Sequence, residues 1–316
     1  MLNKSRLGNT NLNVTEYCLG ALPMGPNHKN LSEKDCIELI NIALDNGVNF
    51  IDTAERYGTE GYIGKAVANR REEIVIATKS WAKTYDEMAK PFEKSLKELN
   101  TDYIDIYHLH AGRADIDVLD HRKGALEFLL EMKEQQVIKA VGISTHSVGI
   151  VKKAAEREEI DIVFPLINKT GLGIVDGSKK SMLEAINKAS KNGKGIYAMK
   201  ALGGGNLLND IKSNIDWVRS IKGISSIAIG VVTPHELKYN LKLFGVDKFS
   251  EVTKPDNIMK KLHILKWNCI GCNQCVDTCP NYAISLVDGV ATVDRKKCIL
   301  CGYCSPGCPK FAIRLV

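Results

Sequence analysis

Eight cysteines crowd the last sixth of this chain in two runs that share one frame. Cys269, Cys272, Cys275 and Cys279 read CxxCxxCxxxCP, and Cys298, Cys301, Cys304 and Cys308 repeat it, with Pro309 where the first run has Pro280. Thiolates at this doubled spacing are the ligand set of two [4Fe-4S] cubes, which need four sulfurs apiece and pass electrons singly. Two other chemistries also gather cysteines. Zinc sites favour two separated CxxC pairs, and disulfide frameworks belong to secreted chains, of which this sequence carries no sign. Of its ten cysteines only Cys18 and Cys36 lie outside the runs, so the thiols serve metal in a reducing compartment and not cross-links.

The cysteine-rich stretch resembles a bacterial-type 2[4Fe-4S] ferredoxin. That resemblance implies a crossover of the fourth cysteine of each run: one cluster on Cys269, Cys272, Cys275 and Cys308, the other on Cys298, Cys301, Cys304 and Cys279. AISLV follows the first run and AIRLV the second, so each half is expected to be a short hairpin and turn around one cluster. Exposed cubes are oxygen-labile, which points to an anaerobic or microaerobic source.

The other five-sixths must present something to these electrons. With 316 residues, 44% apolar and 25% charged, the chain can build one core of about 250 residues and a small appendage. Its net charge of +6 is modest and no basic run interleaves with aromatics, so nucleic acid is not an expected partner. The N-terminus MLNKSRLGNTNLNV has no apolar core followed by a cleavage site, and no stretch approaches the roughly 18 apolar residues of a membrane span. A cytoplasmic protein with no membrane partner is expected.

Short apolar runs alternate with amphipathic helical stretches. Strands are predicted at Tyr17 to Leu19, Phe50 to Thr53, Ile74 to Thr78, Tyr103 to His108, Ala140 to Ser144, Ile162 to Ile167, Gly195 to Met199 and Ser226 to Gly230. Helices are predicted near 33–46, 60–70, 86–99, 122–136, 147–157, 179–191, 211–221 and 234–243, several opened by a Ser, Thr or Asp cap. Eight such pairs fit an α/β fold of the (β/α)8 TIM-barrel type, whose strands are apolar on both faces. LGNTNLNV would close the barrel bottom as a small hairpin. The expected organisation is a barrel over 1–248, a charged, Pro-containing linker over 249–261 and a small α+β two-cluster domain over 262–316.

Catalysis in such barrels gathers at the C-terminal strand ends, where Asp52, Tyr57, Lys79 and His110 stand in GVNFIDTAERYG, IVIATKS and YIDIYHLHA. Through these separated motifs the barrel resembles the aldo-keto reductase superfamily, and carried over by position the four residues would be its catalytic tetrad. The chemistry agrees. A phenol with an ordinary pKa of about 10 becomes a usable proton donor if a neighbouring ammonium lowers that value, while a carboxylate keeps the ammonium charged. Tyr57, Lys79 and Asp52 supply these groups. His110 would donate a hydrogen bond to a substrate carbonyl oxygen and favour charge on it in the transition state.

The resemblance also implies a nicotinamide site, and here the residues depart from the family pattern. A Ser-Asn pair is expected after strand five, where Ser144, Thr145 and His146 stand. A Gln is expected near strand six, where Phe164 and then Asn168 occur, and an aromatic after strand seven, where Met199 and Lys200 occur. After strand eight Val231, Val232 and Thr233 leave no basic residue for a 2′-phosphate. Gly203, Gly204 and Gly205 remain as a loop able to approach a phosphate. Candidate cofactor contacts are therefore Ser144, Asn168, Lys200, Gly203, Gly204 and Gly205, with NAD(P)(H), a flavin or a deazaflavin as the barrel cofactor.

Hydride chemistry moves two electrons and each cubane one, so three functions stay open. The barrel could interconvert a carbonyl and an alcohol while the clusters relay electrons to an external ferredoxin or other carrier. It could be an NAD(P)H-dependent carbonyl reductase with structural clusters. The whole chain could be an electron carrier or redox sensor without catalysis.

Overall fold

The structure is a computed structural model that describes residues 2–26, 28–112, 114–256, 261–279, 281–298, 300, 303, 304, 308–310 and 312–315. A hairpin of β1 (Lys4–Arg6) and β2 (Asn13–Thr15) leads into β3 (Tyr17–Gly20), β4 (Phe50–Asp52), β5 (Val75–Ser80), β6 (Ile104–Ala111), β7 (Ile138–Thr145), β8 (Ile162–Pro165), β9 (Gly195–Met199) and β10 (Ser226–Gly230). Strands β3 to β10 are parallel and close into a barrel, with β10 paired back onto β3. Around them run α1 (Glu33–Asp45), α2 (Glu60–Val67), α3 (Tyr85–Leu99), α4 (Val118–His121), α5 (Lys123–Glu134), α6 (Val148–Ala154), α7 (Lys179–Lys191), α8 (Ile211–Arg219) and α9 (Pro234–Leu243). This is the expected (β/α)8 barrel.

Local chemistry sets the helix starts. Ser32, Thr84, Ser147, Ser178, Asp210 and Thr233 each accept a backbone N–H of the first turn that would otherwise lack a partner. In α3, Met88, Phe92, Ser95 and Leu99 recur at helical spacing and are buried against the sheet.

Side chains alternate across each strand, so the sheet serves two cores. Outward residues such as Leu19, Ile51, Ile76, Tyr107 and Ile143 pack beneath the helices. Inward residues Cys18, Phe50, Ala77, Ile106, Ala140, Ile162, Phe164 and Tyr197 fill the barrel, and Leu7, Leu12 and Val14 join them. Those three belong to the LGNTNLNV segment, which runs from the end of β1 into β2 and plugs the barrel bottom.

One inward position must be bare. A Cβ on Gly142 in β7 would lie 2.3 Å from His108 Nδ1 and 2.8 Å from the Ile162 carbonyl oxygen. Gly142→Ala should therefore force His108 out of its place and destabilise the fold by about 1–3 kcal/mol. Urea denaturation checks this, and an unchanged midpoint would refute the steric argument.

Strand boundaries differ from expectation in one respect that bears on the site. Lys79 and His110 lie inside β5 and β6 and do not follow them, because the ladders extend to Ser80↔Leu109 and Ala111↔Thr145.

Beyond α9 the chain forms β11 (Leu262–Ile264), α10 (Gln274–Asp277), β12 (Ile284–Val287), β13 (Val290–Val293) and β14 (Ile313–Leu315). AISLV makes the expected hairpin, β12 with β13. AIRLV does not repeat it: β14 pairs antiparallel with β11, which precedes the first cysteine run. A lone strand needs a ladder partner for its backbone groups, and residues 262–264 supply one. Leu262, Cys275, Ile284, Ala291, Cys304 and Ile313 form a small core there. Among the described residues no helix is long and apolar enough to cross a membrane.

Candidate active site at the barrel mouth

Asp52 ends β4 and pairs in register with Ala77, so Lys79 stands two residues further along β5 on the same inward face. Its stem reaches back and its ammonium lies 2.8 Å from both carboxylate oxygens of Asp52 and 2.6 Å from the Thr53 carbonyl oxygen. The side chains are only 1% and 7% exposed. A pair so deep is sustained by full hydrogen bonding, because either charge alone would be strongly penalised.

Tyr57 is brought to this pair by the turn DTAERYG. Residues Glu55–Tyr57 make a single 3-10 turn ended by Gly58 at φ +67°, a left-handed conformation that suits glycine. Thr53 and Thr59 hydroxyls, 2.7 Å apart, close the loop. The Lys79 ammonium sits 5.0 Å from the Tyr57 ring centroid, and His110 meets that ring edge-on at 6.2 Å. Asp52, Tyr57, Lys79 and His110 thus converge on one cavity.

Sequence reasoning missed a further layer. Tyr197 on β9 donates to Asp52 Oδ2 at 2.9 Å, and its oxygen lies 2.7 Å from His108 Nε2. Since the phenol proton goes to Asp52, His108 must donate from Nε2, leaving Nδ1 as the bare nitrogen, and among the described residues that atom has no hydrogen-bond partner. Phe164 stacks on Tyr197 with centroids 3.9 Å apart. The signal was present: Tyr197 is two residues before Met199, as His108 is before His110, so both pairs share the inward face.

Burial dominates the protonation states. It pushes the Tyr57 phenol well above its ordinary value, and the Asp52 charge adds to this. The expected lowering by Lys79 is not realised, because that cation is taken up by Asp52. Tyr57 is therefore a neutral phenol. Burial also raises Asp52, opposed by Lys79 and by the Tyr197 hydrogen bond, and it lowers His108 and His110 well below the usual imidazole value, helped by Lys79. The pH consequence follows. Below about pH 6.5 the unfolded chain protonates both imidazoles and the native one does not, so the unfolded state binds more protons and stability rises with pH. Acidification from pH 6.5 to 5 should cost up to about 1.4 kcal/mol per pH unit for each of the two histidines. Urea midpoints at pH 7.5, 6 and 5 check this, and a flat profile would exclude neutral burial.

The cavity encloses about 190 Å³ behind an open mouth. Lys200, Gly204 and Gly205 line it. Gly203, Gly204 and Gly205 all have positive φ, from +57° to +109°. Ser144, Asn168 and Gly203 are not part of the lining. Asn168 instead ties its own loop, donating to the Leu172 carbonyl and accepting from Thr170 and the Leu172 N–H; Ser144 is buried and its hydroxyl has no partner among the described residues. Beyond the glycines the wall includes Glu236, Tyr239 and Asn240 of α9. Two residues of the cysteine-rich segment, Leu300 and Tyr303, line the same cavity.

In that segment Cys269, Cys272, Cys275 and Cys308 ring a small cavity with Ile264, Ile270, Leu286, Ala291, Ala312 and Ile313. This is the crossover set expected for one cluster. Burial raises the Cys275 thiol, and Cys269, Cys308 and Cys272 push it the same way, as closely grouped sulfurs must. Backbone N–H groups point at three sulfurs: Ala291 at Cys269, Ala283 at Cys279 and Ala312 at Cys308, at 3.2–3.4 Å. N–H···S bonds of this kind are among the features that tune cluster thiolates, so the residues fit the group. Of the second set, Cys279, Cys298 and Cys304 form no disulfide, while Cys301 lies outside the described residues.

Residues 16–267 match the family model described as the aldo/keto reductase family. The chain belongs to that family. Residues 268–312 match a 4Fe-4S dicluster domain, and the two resemblances read from the motifs are borne out in this order along the chain. The uncharacterized oxidoreductase YqkF of Bacillus subtilis is 31% identical over 175 residues, covering 50% of this chain and 54% of that protein. The methylglyoxal reductase DkgA of Escherichia coli K12 is 28% identical over 180 residues, covering 54% of this chain and 64% of that one. The chain thus spans 54–64% of the length of these curated relatives. Among solved structures, a Pseudomonas aeruginosa protein assigned to the aldo-keto reductases superposes with a TM-score of 0.66 at 26% identity, over 76% of this chain and 93% of that one. The holo form of aldo-keto reductase AKR11C1 from Bacillus halodurans shares the fold, with a TM-score of 0.64 at 20% identity over 81% and 99% of the two chains.

Proposed function

We propose that this protein is an oxidoreductase that interconverts a carbonyl and an alcohol in the barrel cavity and exchanges single electrons through two [4Fe-4S] clusters with an external ferredoxin or similar carrier. One observation carries the reading: Leu300 and Tyr303, which flank cluster cysteines in the chain, line the same cavity as Asp52, Tyr57, Lys79 and His110.

Carbonyl reduction consumes two electrons and two protons: one hydrogen must reach carbon together with the electron pair, as a hydride equivalent from the two-electron carrier of the barrel, and the other reaches oxygen as a proton. The neutral Tyr57 phenol donates a hydrogen bond to the substrate oxygen and then its proton as negative charge develops there. Asp52 fixes the Lys79 side chain beside that phenol, with its nitrogen 5.0 Å from the Tyr57 ring centroid. His110, uncharged, orients the carbonyl by a hydrogen bond. Tyr197 and His108 keep Asp52 in place from below.

The clusters, held by Cys269, Cys272, Cys275 and Cys308 and by Cys298, Cys301, Cys304 and Cys279, supply one-electron capacity when bound. A nicotinamide, flavin or deazaflavin in the upper cavity would supply two-electron capacity, next to Lys200, Gly204 and Gly205. Glu236 stands after strand eight in place of a cation and accepts the Val232 N–H at 2.7 Å; its carboxylate disfavours a 2′-phosphate and favours NAD over NADP.

The domain division 1–248, 249–261 and 262–316 suits these roles, and the pairing of β11 with β14 supports counting residues 262–264 with the cluster domain. Trp267, Ile270, Tyr282 and Val287 of that domain expose large apolar side chains, the kind of surface a carrier protein docks on. The described cysteines form no disulfide, which suits the cytoplasm of an oxygen-poor cell.

The test uses oxygen-free full-length protein. Iron should approach about eight atoms per chain, two cubes of four. With clusters reduced, methylglyoxal as a probe carbonyl should reoxidise them, read as recovery of cluster absorbance, and Cys275→Ser should abolish that recovery. Turnover with NADH alone, unaffected by Cys275→Ser, would replace this reading with a reductase whose clusters are structural.

A further inference from the structure

We propose that Tyr303 is a positioning residue which the cluster domain contributes to the barrel site, forming the wall that sets how large a carbonyl the cavity accepts. The proposal rests on the oxidoreductase reading for its substrate class, but its geometry stands apart from turnover.

The Tyr303 phenol oxygen lies 2.8 Å from His146 Nε2, and the two rings stack at 5.2 Å with planes 19° apart. His146, fully buried just after β7, anchors Tyr303 to the barrel by a hydrogen bond and a face contact together. The same ring meets Trp81 and His110 edge-to-face with centroids 6.4 Å away. Tyr303 thus faces the group that would hold the substrate oxygen. On the cluster side it is the neighbour of Cys304 and lies two residues from Cys301, so one loop serves both the thiols and the wall.

The barrel makes room for this ring. A Cβ on Gly112, directly after β6, would lie 2.4 Å from the Tyr303 hydroxyl oxygen and 2.9 Å from its ring carbon. That glycine has an ordinary φ, since it is absent from the positive-φ set, so alanine is tolerated by the backbone and the clash falls on the movable end of Tyr303. Gly112→Ala therefore displaces the wall from the barrel side and touches no cysteine.

The experiment compares wild type, Tyr303→Phe, Tyr303→Ala and Gly112→Ala as full-length, iron-loaded proteins, with iron content and cluster absorbance measured for each. Two probes are used, methylglyoxal as the small carbonyl and 2-naphthaldehyde as the bulky one. Tyr303→Ala and Gly112→Ala should lower KM for naphthaldehyde relative to methylglyoxal by about 10-fold or more, the usual weight of one apolar group in a binding pocket. Tyr303→Phe keeps the ring and should change this ratio by less than about 3-fold. Equilibrium binding of naphthaldehyde, followed by quenching of tryptophan fluorescence because Trp81 borders the wall, should show the same order in the absence of turnover. That arm separates failure of the wall from failure of the enzymatic reading. Should Tyr303→Ala lose iron, Gly112→Ala decides. Equal discrimination and equal affinity in wild type and Gly112→Ala would overturn the proposal.

Discussion

Lys79→Met should destabilise the protein by about 3–5 kcal/mol, the cost of leaving one partner of a buried ion pair uncompensated. The ammonium makes three contacts, two to Asp52 and one to the Thr53 carbonyl, and its removal strands a carboxylate among Phe50, Phe164 and Tyr197 in the barrel interior. Among the described residues only the Tyr197 hydroxyl, at 2.9 Å, would remain as a side-chain partner of Asp52. The carboxyl should then rise further in pKa and take up a proton, which limits the loss at low pH. Urea denaturation at pH 7.5 measures the effect, and a change below about 1 kcal/mol would show that the pair is not the structural unit inferred. The double variant Asp52→Asn with Lys79→Met removes both charges and should recover much of the stability, because contacting residues are not additive. It should not recover turnover.

Tyr57→Phe is expected to separate activity from stability in the opposite way. The hydroxyl makes no hydrogen bond to another side chain among the described residues, and the ring contacts with Lys79 and His110 do not need it. Deleting one oxygen should therefore change stability by less than about 1 kcal/mol. Carbonyl turnover should fall by about 10²- to 10⁴-fold, the usual contribution of a positioned proton donor. The loss should appear mainly in kcat, since the donated proton matters in the transition state. If the chain were an electron carrier without catalysis, every measurable electron transfer would be the same in the variant, and that result would dismiss the proposed chemistry.

The repeating α/β pattern was legible because buried parallel strands and amphipathic helices have different periods, and the β9 and β10 boundaries coincide with the expected ones. Boundaries at β5 and β6 were not, since a ladder runs as far as its neighbour can pair, and the pairing partner is remote in sequence. The four site residues could be named from motif and position. Their protonation could not: the expected lowering of the Tyr57 phenol ignored burial, which dominates and depends on every surrounding chain segment. Asn168 illustrates the same limit. Its type suits a cofactor amide, yet its side chain is consumed by its own loop.

Covalent type and short-range spacing by themselves determined the iron-binding frame, the alternation that makes a barrel and the identity of the reactive groups, because each of these is set within a few residues. Tertiary structure alone decided that Tyr197 and His108 support Asp52, that β14 leaves its repeat to pair with β11, and that Tyr303 turns from the cluster loop into the barrel mouth. These pairings join positions 145, 51 and 157 residues apart, and no local propensity can encode which distant surfaces meet; packing and hydrogen-bond completion choose them.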